Sequence, residues 1–218
     1  MGGSCCEDNC AIEALRQRQT STLVKVLWIN AAMFLVIAGA ALYGRSAALF
    51  SDSLDNLGDA LTYGLSLYAV SRSTDAKARV SLFKGSLILL GACVVMGQVV
   101  WKLVHPVIPS YEIMGVFSFV GMLANGLCLS LLWRHRSEDI NMSSVFECSR
   151  NDIASNFSVF VAGAGVWLFR AGWPDIVVAS ALAALLLRSS VRVIRGAVRE
   201  LGKQPGGSRQ RPTTEPPQ

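Results

Sequence analysis

Charge is what this sequence has little of. Only 16% of its 218 residues are Asp, Glu, Lys or Arg, while 52% are hydrophobic; soluble domains carry about a quarter charged residues. A shortage on that scale, spread over so long a chain, excludes disorder, nucleic-acid-binding tails and most soluble enzymes. Alternation of period two is absent, so nothing supports a β-barrel. The N-terminus does not read as a signal peptide, because Met1 to Gln19 is polar and carries Glu7, Asp8 and Glu13. The 6 cysteines do not form a secreted disulfide framework: Cys5, Cys6 and Cys10 cluster, and the others are scattered in apolar segments. No Ser/His/Asp set, nucleotide-binding loop or His-x-x-x-His pattern occurs, so the sequence does not read as an enzyme.

Long apolar runs are what is there. Mean hydropathy is +0.42, and the net charge of +5 comes from bases placed between those runs. Such placement fits a membrane surface and not nucleic acid. A spanning helix needs about 20 apolar residues, because the hydrocarbon layer is ~30 Å thick and each residue rises ~1.5 Å. Six segments qualify or nearly do, from about Leu23 to Tyr43, Ala47 to Val70, Gly85 to Leu103, Ile113 to Trp133, Ser144 to Phe169, and Trp173 to Leu187. The last is the shortest, ending at Arg188. The expected fold is therefore an all-α membrane protein of six transmembrane helices. Its organisation reads as a cytosolic Cys-containing tail over 1–20, a transport domain over 21–201 and a disordered tail over 202–218. Arg16, Arg18, Lys25, Arg72, Lys77, Arg79, Lys84, Arg134, Arg136 and the tail from Arg188 to Arg211 fall on one side. Only Arg45, Lys102 and Arg170 fall on the other, so the positive-inside rule places both termini in the cytoplasm.

Ionisable groups at membrane depth are costly, which makes each one a site hypothesis. The second segment carries Asp52, Asp55 and Asp59 on one stripe; Asp55 and Asp59 are one turn and about 40° apart. Three ionised carboxylates without a Lys or Arg beside them repel one another, and a divalent cation or protons relieve that. Asp52, near the helix start, reads equally as a cap. The fifth segment repeats the device, with Cys148, Asp152 and Asn156 at i, i+4 and i+8. Two helices that each present a ligand pair supply four O and S donors, a set suited to tetrahedral Zn²⁺ and biased against Mg²⁺ or Ca²⁺ if the thiolate takes part. Cys148 alone reads equally as a small buried apolar residue. Asn151 could orient the Asp152 carboxylate. Asn30 and Asn125 read as bonds between helices, and Gly121, Gly126, Ala162, Gly163 and Gly165 as close packing. Cys5, Cys6 and Cys10, with Glu7 and Asp8, are either a thiol cluster that collects a soft metal or incidental residues of a tail.

The stretch Ser46-Ala-Ala-Leu-Phe-Ser-Asp-Ser-Leu-Asp-Asn-Leu-Gly-Asp59 resembles the second-helix signature of the cation diffusion facilitator family. Cys148-Ser-Arg-Asn-Asp152 is similar to its fifth-helix motif, with Cys148 where His is usual. Leu123-Ala-Asn125, Trp173-Pro-Asp175 and Leu187 to Arg192 extend the likeness over about Val24 to Leu201. The resemblance implies a divalent metal exporter that exchanges metal for protons, with Asp55, Asp59, Cys148 and Asp152 as metal ligands; the helix stripes themselves add Asp52, Asn156 and Asn151 as secondary candidates. It implies a transported ion, Zn²⁺ foremost or Cd²⁺, Co²⁺, Fe²⁺ or Mn²⁺, and no bound cofactor. The expected partners are the metal, protons and the lipid bilayer, with no nucleic acid. The family's cytosolic C-terminal domain and its His-rich loop have no counterpart here, which leaves homodimerisation open. The expected location is the inner membrane of a bacterium, as a multi-pass protein. A membrane metal-binding or sensing protein without transport is the alternative.

Overall fold

Helix runs through every apolar segment. In a computed structural model that describes residues 4–69, 74–133 and 140–202, six helices follow in order: α1 (Ser4–Gly44), α2 (Ala47–Ala69), α3 (Thr74–Val104), α4 (Tyr111–Trp133), α5 (Ile140–Phe169) and α6 (Trp173–Gly202). Side chains are described outside 1–19, 66, 68–77, 134–149 and 203–218. The described residues contain no strand. Three helices outrun the apolar segments that announce them. α1 begins at Ser4 and not near Leu23, α3 at Thr74 and not Gly85, and α6 continues through Arg188 to Gly202. The sixth segment is thus a helix of 30 residues, not the shortest. The reason is that polarity marks where a helix leaves lipid, whereas Gly and Pro mark where it stops. Between Arg188 and Gly202 there is no Pro and a single interior Gly196.

Among the described residues, five helices are long and apolar enough to cross a membrane, and α2 is not one of them. α2 carries three aspartates, and it alone touches all five other helices. A helix wrapped on every side need not be apolar towards lipid. The outer surface is the reverse: all 5 tryptophans, together with Leu35, Phe83, Phe119 and Leu185, are exposed. Exposed apolar area of this extent needs lipid against it, and tryptophan is favoured where lipid meets water. The buried core runs through Ile37, Leu49, Val95, Met114, Val159 and Val166.

Contacts at the two ends give the helix directions. Gly44 carbonyl accepts from Ser110 N–H at 3.0 Å, Lys102 Nζ reaches Arg45 carbonyl at 2.6 Å, and the Arg170 guanidinium lies 5.9 Å from the centre of the Tyr111 ring. The end of α1 and the starts of α2, α4 and α6 therefore meet the ends of α3 and α5. At the far end, Gly64 of α2 faces Leu27 of α1, and Gly85 of α3 packs on Val193 and Ile194 of α6. Successive helices alternate in direction. Arg45 and Arg170 end α1 and α5 with φ of 52° and 49°, the left-handed conformation that closes many helices.

Asp175 organises the first of these ends. Its carboxylate accepts from Ser46 Oγ (2.6 Å), Ala47 N–H (3.1 Å), Ala48 N–H (3.0 Å) and Lys102 Nζ (2.8 Å). Ser46 Oγ in turn accepts from Leu49 N–H at 3.0 Å. The exposed amides of the α2 N-terminus are thus capped partly by Ser46 and partly by an acid from α6. Lys102, one of the few bases that the sequence puts on this side, is a buried counter-ion.

Candidate metal centre

The α2 stripe and the α5 stripe meet. Asp55, Asp59 and Asp152 line one cavity of about 670 Å³, bounded by α2, α3, α5 and α6. Asp59 and Asp152 are buried, at 8% and 7% exposure, while Asp55 is half-buried. The Asp59 and Asp152 carboxyl groups are hydrogen-bond neighbours, and Asp55 takes a hydrogen bond from Ser155 one turn beyond Asn151. Two ionised carboxylates this close repel each other, and a cation or a proton between them relieves that. Asp152 Oδ2 has no hydrogen-bond partner and stays available.

Of the secondary candidates, Asn151 is exposed and lines the same cavity. Asp52 and Asn156 do not. Asp52 is fully buried one turn away, and neither of its carboxylate oxygens has a partner, so it does not serve as the cap that its position suggested. Asn156 donates to the Asp152 carbonyl at 2.8 Å and turns its own oxygen towards α4. Cys148 lies on α5 one turn before Asp152, but its side chain is outside the described residues, as are those of Cys5, Cys6 and Cys10 on α1. Among the described residues no three His, Cys, Asp or Glu side chains gather closely enough to enclose an ion as they stand.

Sequence reasoning missed three groups around the carboxylates. Tyr63, fully buried, donates its hydroxyl to Asp59; its position at i+4 on the same stripe was the available signal. Cys128 of α4, also buried, lies within electrostatic range of Asp59 and Asp152 and accepts from Asn30 Nδ2 at 3.8 Å. Nothing in the spacing of α4 relates it to α2 or α5. Lys84, which bonds Thr62, joins Arg188 and Arg192 on the cavity wall. Asn30 thus makes the bond between helices expected of it. Asn125 does not, because its buried Nδ2 has no acceptor.

The arrangement is a buried acidic site between helices of the bundle. No curated protein matches the chain individually. A family model, the cation efflux transmembrane domain, matches residues 23–201. An acidic pair on α2 facing an aspartate on α5, within a match that covers most of the chain, makes this a multi-pass membrane protein that transports metal cations, a transporter and not an enzyme: it belongs to the cation efflux, or cation diffusion facilitator, family.

Proposed function

We propose that the protein exports a divalent transition-metal ion from the cytoplasm in exchange for protons, with Zn²⁺ foremost and Cd²⁺, Co²⁺, Fe²⁺ or Mn²⁺ as alternatives. On this reading α2 spans the membrane with the other five helices, both termini are cytoplasmic and the membrane is the inner membrane of a bacterium. The observation that carries the reading is the shared cavity of Asp55, Asp59 and Asp152, which come from helices distant in sequence. Cys148 completes four donors, and its thiolate favours Zn²⁺ and Cd²⁺ over the hard ions Mg²⁺ and Ca²⁺.

Proton exchange follows from the same groups. A carboxyl or thiol must lose its proton to bind metal, so affinity falls as pH falls. An exterior more acidic than the cytoplasm then favours outward release and return of the protonated site. The test is metal uptake and counter-flow of protons in proteoliposomes, with direct metal binding measured in parallel. Asp59→Ala and Asp152→Ala are expected to abolish binding and flux together. Cys148→Ser is expected to weaken Cd²⁺ more than Mn²⁺. Wild-type transport by both aspartate variants would overturn the site, and uptake that stops at one ion per protein would mean a binding protein without transport.

A further inference from the structure

One face of α6 changes character along its length. Val177, Ala181, Ala184 and Leu185 are exposed on it, and Arg188, Arg192, Arg195 and Arg199 follow, also exposed. At ~100° per residue the four arginines fall within about 60° of one another, and the apolar residues continue the same stripe. α6 has 30 residues, which at ~1.5 Å each is about 45 Å, well beyond the ~30 Å of hydrocarbon. Counting from Trp173, about 20 residues bring the helix to Arg192, so the stripe is apolar at the depth of acyl chains and cationic at the depth of headgroups. A surface groove of about 720 Å³ follows the arginines, and Gly196 leaves open space between them.

We propose that this stripe is a binding site for one anionic phospholipid, its phosphate held by Arg192, Arg195 and Arg199 and its acyl chain laid along Val177 to Leu185. Guanidinium groups match phosphate oxygens in pairs and keep their charge at any working pH. The apolar half of the stripe decides the occupant: an acidic peptide would use the arginines and leave that half without a function. Arg188 and Arg192 also line the carboxylate cavity, so a phosphate beside them offsets positive charge on the wall that a cation passes. That last consequence rests on the transport reading above; the lipid site does not.

The test uses the purified full chain in detergent and native mass spectrometry, with phosphatidylglycerol and phosphatidylcholine of identical acyl chains as probes. Inorganic phosphate and an Asp/Glu-rich peptide serve as competitors. Preferential retention of phosphatidylglycerol is expected, and Arg192→Gln, Arg195→Gln and Arg199→Gln combined should weaken it about fivefold per arginine without changing phosphatidylcholine. The single variants Arg195→Gln and Arg199→Gln, both away from the cavity, carry the same test if the triple variant misfolds. Equal retention of the two lipids, an unchanged preference in the variants, or displacement by excess phosphate or by the peptide would overturn the proposal. The readout contains no metal, so its failure is distinguishable from failure of the transport reading.

Discussion

Lys102 shows how little of a side chain's role its place in the sequence can announce. It is 73 positions from Asp175, yet the two are joined at 2.8 Å with the carboxylate fully buried. A buried pair adds little net stability over apolar residues of the same shape, because both charges leave water to form it. Removing one partner is different, since the other charge is then buried alone. Lys102→Met is therefore expected to cost about 3–5 kcal/mol. Asp175→Asn should cost less, because its single amide oxygen can still accept from Ser46 Oγ and Ala48 N–H, which share one carboxylate oxygen. Lys102→Met with Asp175→Asn should recover much of the loss. Thermal unfolding of the four proteins in one detergent checks this, and a double variant as unstable as the sum of the singles would exclude the coupling.

At the scale of elements, close helix approach depends on where small residues stand. A Cβ placed on Gly121 of α4 would lie 1.8 Å from Asn156 Oδ1 of α5, far inside contact distance. Gly121→Ala is expected to destabilise the α4–α5 pair by about 1–3 kcal/mol, the usual cost of overpacking. Asn156→Ala should relieve it in the double variant, which a double-mutant cycle by thermal unfolding measures. Gly163 and Gly165 follow the same rule, against Met114 and Pro174, each at 3.1 Å. Gly126 does not: nothing lies within 4 Å of it, so its expected packing role fails. The sequence shows that α2 and α5 each carry acidic and polar groups one turn apart, because that is a local regularity with a period of 3.6 residues. It does not show that Asn156 points at α4 and not into the cavity, nor that Tyr63 bonds Asp59, because rotamer and neighbour decide those. Helix ends were misjudged wherever charge was taken for a stop, as at Arg188.

For the whole molecule, the alternating helix directions place the α1 start and the α6 end together, away from the turn after Gly44 and the loop before Ser110. Basic residues divide unevenly between these ends. At the Ser110 end, Lys102 is paired with Asp175, which subtracts from an already small charge. At the other end, Arg188, Arg192, Arg195 and Arg199 are exposed. Basic loops are retained on the cytoplasmic side, so the uneven division leads us to expect the Ser110 end outside. Arg188 and Arg192 on the wall of the acidic cavity belong to the basic end, so the proposed orientation puts that wall on the cytoplasmic side. Reporter fusions after Gly202 are expected to behave as cytoplasmic and a fusion after Ser110 as external. A thiol-specific label that does not cross membranes should reach Ser110→Cys from outside intact cells and leave Gly202→Cys unmodified until they are opened. Labelling of Gly202→Cys in intact cells would reverse the bundle, and with it the direction assigned to transport.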